Sequence, residues 1–205
     1  MLRKDALANR ERLISAAREV FSERGIDATL DDIAARAGLG TGTAYRHFRD
    51  KHELASEILS EATEQIAKDA RAALAMSHPW QALVYFCENT AARHAADRGL
   101  YDTLAGKGRT EDKERIWPRI MQSVTQLMER AQAKGIVRAD AQPEDIGTIL
   151  TMLGPVYGMG EQIWRRYLAL MLDGLQAVGA APLPVPAPRL PSLDDLTGVK
   201  RRARP

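Results

Sequence analysis

Apolar residues recur along this chain at intervals of three and four almost from end to end, the spacing of one buried helix face. No window alternates with period two amid β-branched residues over a strand's length, so the pattern predicts an all-α protein. Leu13, Ala17, Val20 and Phe21 mark the stripe of a first helix from about Leu7 to Arg24, and Gly25 stops it. Thr29 is a good N-cap for a short second helix. Asp31 and Asp32 suit the positive end of its dipole, and Asp32 stands where a capping box needs its second member. Gly38 ends that helix, and Gly38-Leu39-Gly40 turns into a third short helix, TGTAYRHF. Arg49-Asp50 breaks the third helix, and Asp50 can cap a long fourth one that carries Leu54, Ile58, Ala62, Ile66, Ala70 and Leu74 at helical spacing.

Ser77-His78-Pro79 is the next boundary, with proline at a helix start. Further helices are expected over about Pro79–Ala96, Arg98–Leu104, Thr110–Lys134, Pro143–Tyr157 and Glu161–Val178. Pro118 should kink the Thr110–Lys134 helix or mark its first turn. From Ala181 the text reads PLPVPAPRLP, a polyproline-like tail that ends in a basic KRRAR; that cluster can grip a DNA backbone or simply be solvated. There is no internal repeat of 20–50 residues. The expected division is a head, residues 1–51, a helical body, residues 52–180, and the tail, residues 181–205.

Composition adds limits. The 205 residues are 45% hydrophobic and 27% charged, which excludes global disorder. No run of about 18 apolar residues occurs, so no transmembrane helix is expected. The charged N-terminus lacks an apolar signal core, so the chain reads as cytoplasmic. One cysteine, Cys87, excludes an internal disulfide and a cysteine zinc site. His47, His52, His78 and His94 lack metal-ligand spacing, and no cofactor is expected. Net charge is +2 over residues 1–51, −3 over 52–188 and +3 over 189–205, a weak sign of an anionic partner at one end.

Two short helices joined by a glycine-containing turn are the helix-turn-helix pattern. On a helical wheel Ala44 and Phe48 share one face of the third helix, with Ile33, Ala34, Ala37 and Leu39 available to pack them. Gly42 and Arg46 point the other way, flanked by Thr43 and Tyr45, and that face has no acidic residue. A guanidinium, a phenol, hydroxyls and bare backbone are the groups that meet phosphates and base edges. Lys51 stands at the entry to the fourth helix, where it can clamp a phosphate.

The segment TLDDIAARAGLGTGTAYRHFRDKHEL, from Thr29 to Leu54, resembles the DNA-binding segment of the TetR (tetracycline-repressor-like) family of bacterial regulators. The likeness rests on Thr29, Ile33-Ala34, Ala37-Gly38-Leu39, Gly42-Thr43, Tyr45, Phe48, Lys51 and Leu54, and covers about residues 8–60. It implies an N-terminal three-helix DNA-binding domain joined by a long helix to a C-terminal ligand-binding and dimerisation bundle. It also implies that Thr29 caps and touches a phosphate, that Thr41, Thr43, Tyr45 and Arg46 lie along the recognition helix, and that Tyr45, His47 and Lys51 bind phosphates. Gly40 stands where the family often has a capping serine, so one hydroxyl is lost as a phosphate donor.

The expected function is a repressor that binds a pseudo-palindromic duplex as a homodimer and is released by a small, mostly apolar effector. The dimer should use the last two long helices through Ile146, Leu150, Leu153, Ile163, Tyr167, Leu170, Met171 and Leu175. The pocket candidates are Trp80, Tyr85, Phe86, Leu104, Trp117, Met121, Val124, Met128, Leu153 and Tyr157, with Thr90, His94 and Gln122 as polar contacts. The rival readings are a regulator without an effector, a helical adaptor, and an enzyme. No paired catalytic carboxylates, nucleophile elbow or zinc motif stands out, and GLGTG at 38–42 follows a helix rather than a strand, so no enzyme is expected.

Overall fold

Eight α-helices form within residues 2–97 and 111–185, which the structure, a computed structural model, describes. The short helix expected over 98–104, the candidate Leu104 and the tail beyond residue 185 lie outside these residues. Helix α1 (Leu2–Arg24) begins five residues before its expected start, because no breaker stands ahead of Leu7 and Asp5 suits its first turn. Gly25, at φ +70°, turns the chain through a short 3-10 segment. Helix α2 (Leu30–Arg36) starts at a complete capping box between Thr29 and Asp32. It stops at Gly38, whose φ of +64° only glycine adopts easily. Arg12 reaches over from α1 and donates to the Ala37 carbonyl at 2.6 Å, and a Cβ on Gly38 would lie 3.2 Å from that same guanidinium.

Helix α3 (Thr41–His47) follows, then α4 (Lys51–Ala75), capped by Asp50 through the amides of His52 and Glu53. At 1.5 Å per residue α4 is roughly 37 Å long. Its first turns, Leu54 and Ile58, belong to a core made with Leu13, Ala17, Val20, Phe21, Ile33, Ala34, Ala44 and Phe48. From Ile66 onward it joins a second, larger core with α5 (Pro79–Ala96), α6 (Glu111–Ala133), α7 (Pro143–Met152) and α8 (Glu161–Asp173). The border between the two cores thus falls inside α4. At its far end Arg130 of α6 donates to the Leu74 and Met76 carbonyls at 2.7 and 2.6 Å, satisfying acceptors that a helix end leaves open.

Two expected helices of the body end early, and in a third the place of Pro118 is settled. Pro118 lies well inside α6, so it does not mark the first turn. Helix α7 ends at Met152 instead of reaching Tyr157, because Gly154-Pro155 cannot continue it; a 3-10 segment, Gly154–Met159, takes over. Helix α8 ends at Asp173 rather than Val178. Past Gly174 the backbone finds other partners: Arg138 N donates to Leu175 O at 2.9 Å and Ala177 N to Ile136 O at 2.8 Å, around one antiparallel bridge between Val137 and Gln176. Among the described residues no helix is long and apolar enough to cross a membrane, and no group of three or more His, Cys, Asp or Glu is placed to hold a metal ion.

Candidate nucleic-acid interface

Helices α2 and α3 pack through Ile33, Ala34, Ala37 and Ala44, with Phe48 closing the end of α3. Burying that face forces the other outward. Thr41, Gly42, Tyr45 and Arg46 are exposed, and Thr43, His47 and Lys51 are half-buried. Tyr45 is 53% exposed, unusual for an aromatic ring with a core one turn away. Among the described residues, no hydrogen bond or ion pair engages the side chains of Thr41, Thr43, Tyr45, Arg46, His47 or Lys51.

The neighbouring cations behave otherwise. Arg36 is held by Glu19 at 3.1 Å and by Glu23 at 2.5 Å, and these hydrogen bonds raise its pKa while Glu23 is lowered. Arg24 meets Asp32 at 3.1 Å. Arg10 pairs with Glu57 and lies over the Phe48 ring, 5.2 Å from its centre. Arg49 contacts Glu53 at 3.6 Å. Asp50 and Glu53, the acids that follow α3, are also committed. Asp50 is held below the ordinary carboxylate range by the amides of Glu53 and His52, so it stays ionised as the cap of α4.

Two details adjust the expected roles. The Thr29 hydroxyl donates to Asp32 at 2.6 Å while it accepts from the Asp32 amide at 3.1 Å, and its own amide also goes to Asp32. Its proton is therefore used within the cap in the free chain, beside a carboxylate that these bonds hold ionised. Gly42 sits inside α3 with nothing within 4 Å of where a Cβ would stand. A glycine there costs about 0.5–1 kcal/mol of helix stability against alanine. No contact among the described residues accounts for that cost.

In the body the pocket candidates scatter. Phe86, Thr90, His94, Val124, Met128, Leu153 and Tyr157 are buried; Trp80, Trp117 and Met121 are half-buried; Tyr85 and Gln122 face outward. His94 meets Tyr157 edge to face at 5.9 Å, and Tyr157 meets Trp164 at 6.3 Å. Burial pushes His94 down to about 4, so it is a neutral imidazole at neutral pH. Cys87 is fully buried and its thiol is pushed up to about 12, the state of a small hydrophobe rather than a reactive thiol. Of the eight residues expected at a dimer face, Ile146, Leu150, Leu153 and Leu175 instead fill the chain's own core, and Met171 is half-buried. Ile163, Tyr167 and Leu170 do point outward, together with Met152 and Met159, which the sequence reading did not single out. It also missed a link between head and body. Arg18 of α1 donates to Asp97, at the end of α5, at 2.7 Å and to Glu61 of α4 at 2.9 Å. Arg18 and Asp97 are 79 residues apart, and no local pattern announces such a pair.

The profile of the tetR family of bacterial regulatory proteins matches residues 13–58, and that of the SbtR-like transcriptional-regulator C-terminal domain matches residues 78–177. An uncharacterized HTH-type transcriptional regulator, TtgW of Pseudomonas putida, is 38% identical over 81 residues, 39% of this chain and 60% of that one. The HTH-type transcriptional regulator SrpR of Pseudomonas putida is also 38% identical over 81 residues, 39% of this chain and 38% of that one. The match thus spans less than two thirds of the length of these curated relatives. A crystal structure of the TetR transcription regulatory protein from Mycobacterium vanbaalenii is 32% identical, with 86% of this chain and 99% of that chain covered and a TM-score of 0.56.

Proposed function

The chain belongs to the tetR family of bacterial regulatory proteins, which are DNA-binding transcriptional regulators, and on that footing we propose that α3 is its recognition helix and that Thr41, Gly42, Thr43, Tyr45, Arg46, His47 and Lys51 form its DNA face. The observation that carries this reading is the contrast in commitments: Arg10, Arg24 and Arg36 are each held by a carboxylate of the chain, while among the described residues Arg46 and Lys51 are not. Arg46 is long and planar enough to read a guanine edge. Lys51, Tyr45 and His47 take phosphates on either side. Gly42 lets the DNA backbone come close to the helix, which gives its cost in helix stability a purpose. The head is residues 1–51, completed by Leu54 and Ile58 from the first turns of α4, the body is the rest of 52–180, and a DNA partner suits a cytoplasmic protein.

The protein acts as a homodimer on a pseudo-palindromic operator, because two copies of one recognition helix read two half-sites. The outward stripe of Ile163, Tyr167 and Leu170 on α8, with Met152 and Met159 beside it, supports this pairing. The activity is repression, relieved by a small, mostly apolar effector held in the body. A ligand can act only by favouring one of two shapes. Two rigid connections can carry that bias to the head: α4, which belongs to both cores, and the Arg18–Asp97 pair that ties α1 to the end of α5. Mobility shift on duplexes from upstream of the protein's own gene tests the reading. A discrete dimer complex that survives competitor DNA is expected. No complex with any duplex at low salt overturns it.

A further inference from the structure

Five threonines lie within the long helices of the described residues. Four of them donate their hydroxyl to the carbonyl four residues earlier: Thr63 to Leu59 at 2.7 Å, Thr125 to Met121 at 3.0 Å, Thr148 to Glu144 at 3.1 Å and Thr151 to Gly147 at 2.8 Å. This is the easiest bond for a helical threonine to make. Thr90 does not make it. Its residue is 3% exposed, and its hydroxyl oxygen is out of reach of solvent and has no hydrogen-bond partner among the described residues. A buried hydroxyl without a partner is destabilising, and native proteins rarely leave one without a use.

Its surroundings narrow that use. Phe86, Thr90 and His94 are spaced four apart and share one stripe of α5. The stripe continues to Tyr157 through the ring contact of His94. The nearest cation along α5, Arg93, is occupied by Asp69 through two hydrogen bonds of 2.8 and 3.2 Å. His94 is neutral, as burial requires. Phe86 belongs to the same apolar core as Val124, Leu153, Tyr157 and Trp164. Among the described residues no uncommitted positive charge faces this place, so a carboxylate or phosphate guest would enter unpaired.

We propose that the Thr90 hydroxyl is the anchoring donor of a ligand site on the inner face of α5, and that the ligand is an uncharged, mostly apolar molecule with one hydrogen-bond acceptor, such as a carbonyl or hydroxyl oxygen. This deepens the effector reading above and rests on it for the purpose of the site, but not for its chemistry.

The full-length protein is titrated by calorimetry with three molecules on one eight-carbon chain: 2-octanone, 1-octanol and octanoate. The ketone and the alcohol should bind, and octanoate should bind at least about tenfold more weakly. Thr90→Val keeps the shape and removes the hydroxyl. It should raise the midpoint of thermal unfolding of the free protein by about 3 °C, since a stranded polar group is gone, and weaken the ketone by about tenfold. Thr90→Ser should restore ketone binding. The proposal is overturned if octanoate binds as tightly as the ketone, if neither neutral molecule binds up to its solubility limit, if Thr90→Val leaves ketone affinity unchanged, or if that variant melts lower than the parent. Operator binding by the same preparations is measured in parallel. DNA binding that persists while no neutral molecule binds removes this inference alone, and ketone binding that leaves the DNA complex intact removes only the effector role.

Discussion

In the head, Arg10, Arg24 and Arg36 are each held by a carboxylate, while Arg46 on α3 is held by none among the described residues. In the body, Arg93 is held by Asp69, while Thr90, three residues before it, has no partner there. Both regions keep polar groups in reserve, but the head aims them outward and the body aims one inward. The direction indicates the size of the partner. A row of exposed donors on a short helix suits a large, wet, anionic surface that many weak contacts can span. A single donor sealed in an apolar core suits one small molecule with one acceptor.

The largest effect should come from separating the copies. Leu170 is 54% exposed on α8, and Leu170→Glu should convert the dimer to a monomer and abolish operator binding with it, read by sedimentation and mobility shift. A variant that stays dimeric, or a monomer that still holds its operator tightly, breaks the link between the two regions. Next in size is the pH response of the body. His94 has a pKa of about 4 in the folded chain and an ordinary value of 6.5. The unfolded chain therefore takes up the proton first as pH falls. This contribution is fully present above pH 6.5 and is lost between pH 6.5 and 4, by about 3 kcal/mol. Denaturant melts across that range should show a smaller fall in His94→Gln than in the parent, and equal falls contradict the assignment.

Smaller effects sharpen the head. Arg46→Ala should cost about 1–3 kcal/mol on the preferred site, with less loss on random duplex. Equal loss on both would demote Arg46 to a phosphate contact. Gly42→Ala should stabilise the free protein by about 0.5–1 kcal/mol yet weaken its DNA complex. A variant that gains stability and keeps full affinity would show that no DNA backbone approaches there.

The head was more legible in the sequence than the body, for a physical reason. Its elements are short and bounded by local signals: Thr29 with Asp32, Gly38, Asp50. Each of these acts within three or four residues, and each appears in the structure where the pattern placed it. The outward face of α3 followed from one wheel, since Ala44 and Phe48 left Arg46 a single direction. The body's helices also announced themselves, but their ends did not. Helix α8 stops where its backbone pairs with residues 136–138, far back in the chain and outside any local window. Helical spacing likewise cannot tell a face buried against the same chain from one kept for a partner, so Ile146 and Leu150 looked like Ile163 and Leu170. Thr90 was legible as a polar residue on an apolar helix. That its hydroxyl forgoes the bond made by the other threonines in the long helices is a fact of rotamer and packing alone.

The central claim is that the outward donors of α3 and of the entry to α4 bind DNA, and the dependence of affinity on salt tests it most directly. Fluorescence anisotropy on an upstream duplex, titrated from low to moderate salt, gives the slope of log affinity against log salt for the parent and for Lys51→Ala. A steep negative slope is expected for the parent, with affinity lowered throughout and the slope reduced by about one unit in the variant. A variant with the parent's affinity and slope, or a parent whose binding does not depend on salt, would contradict the account.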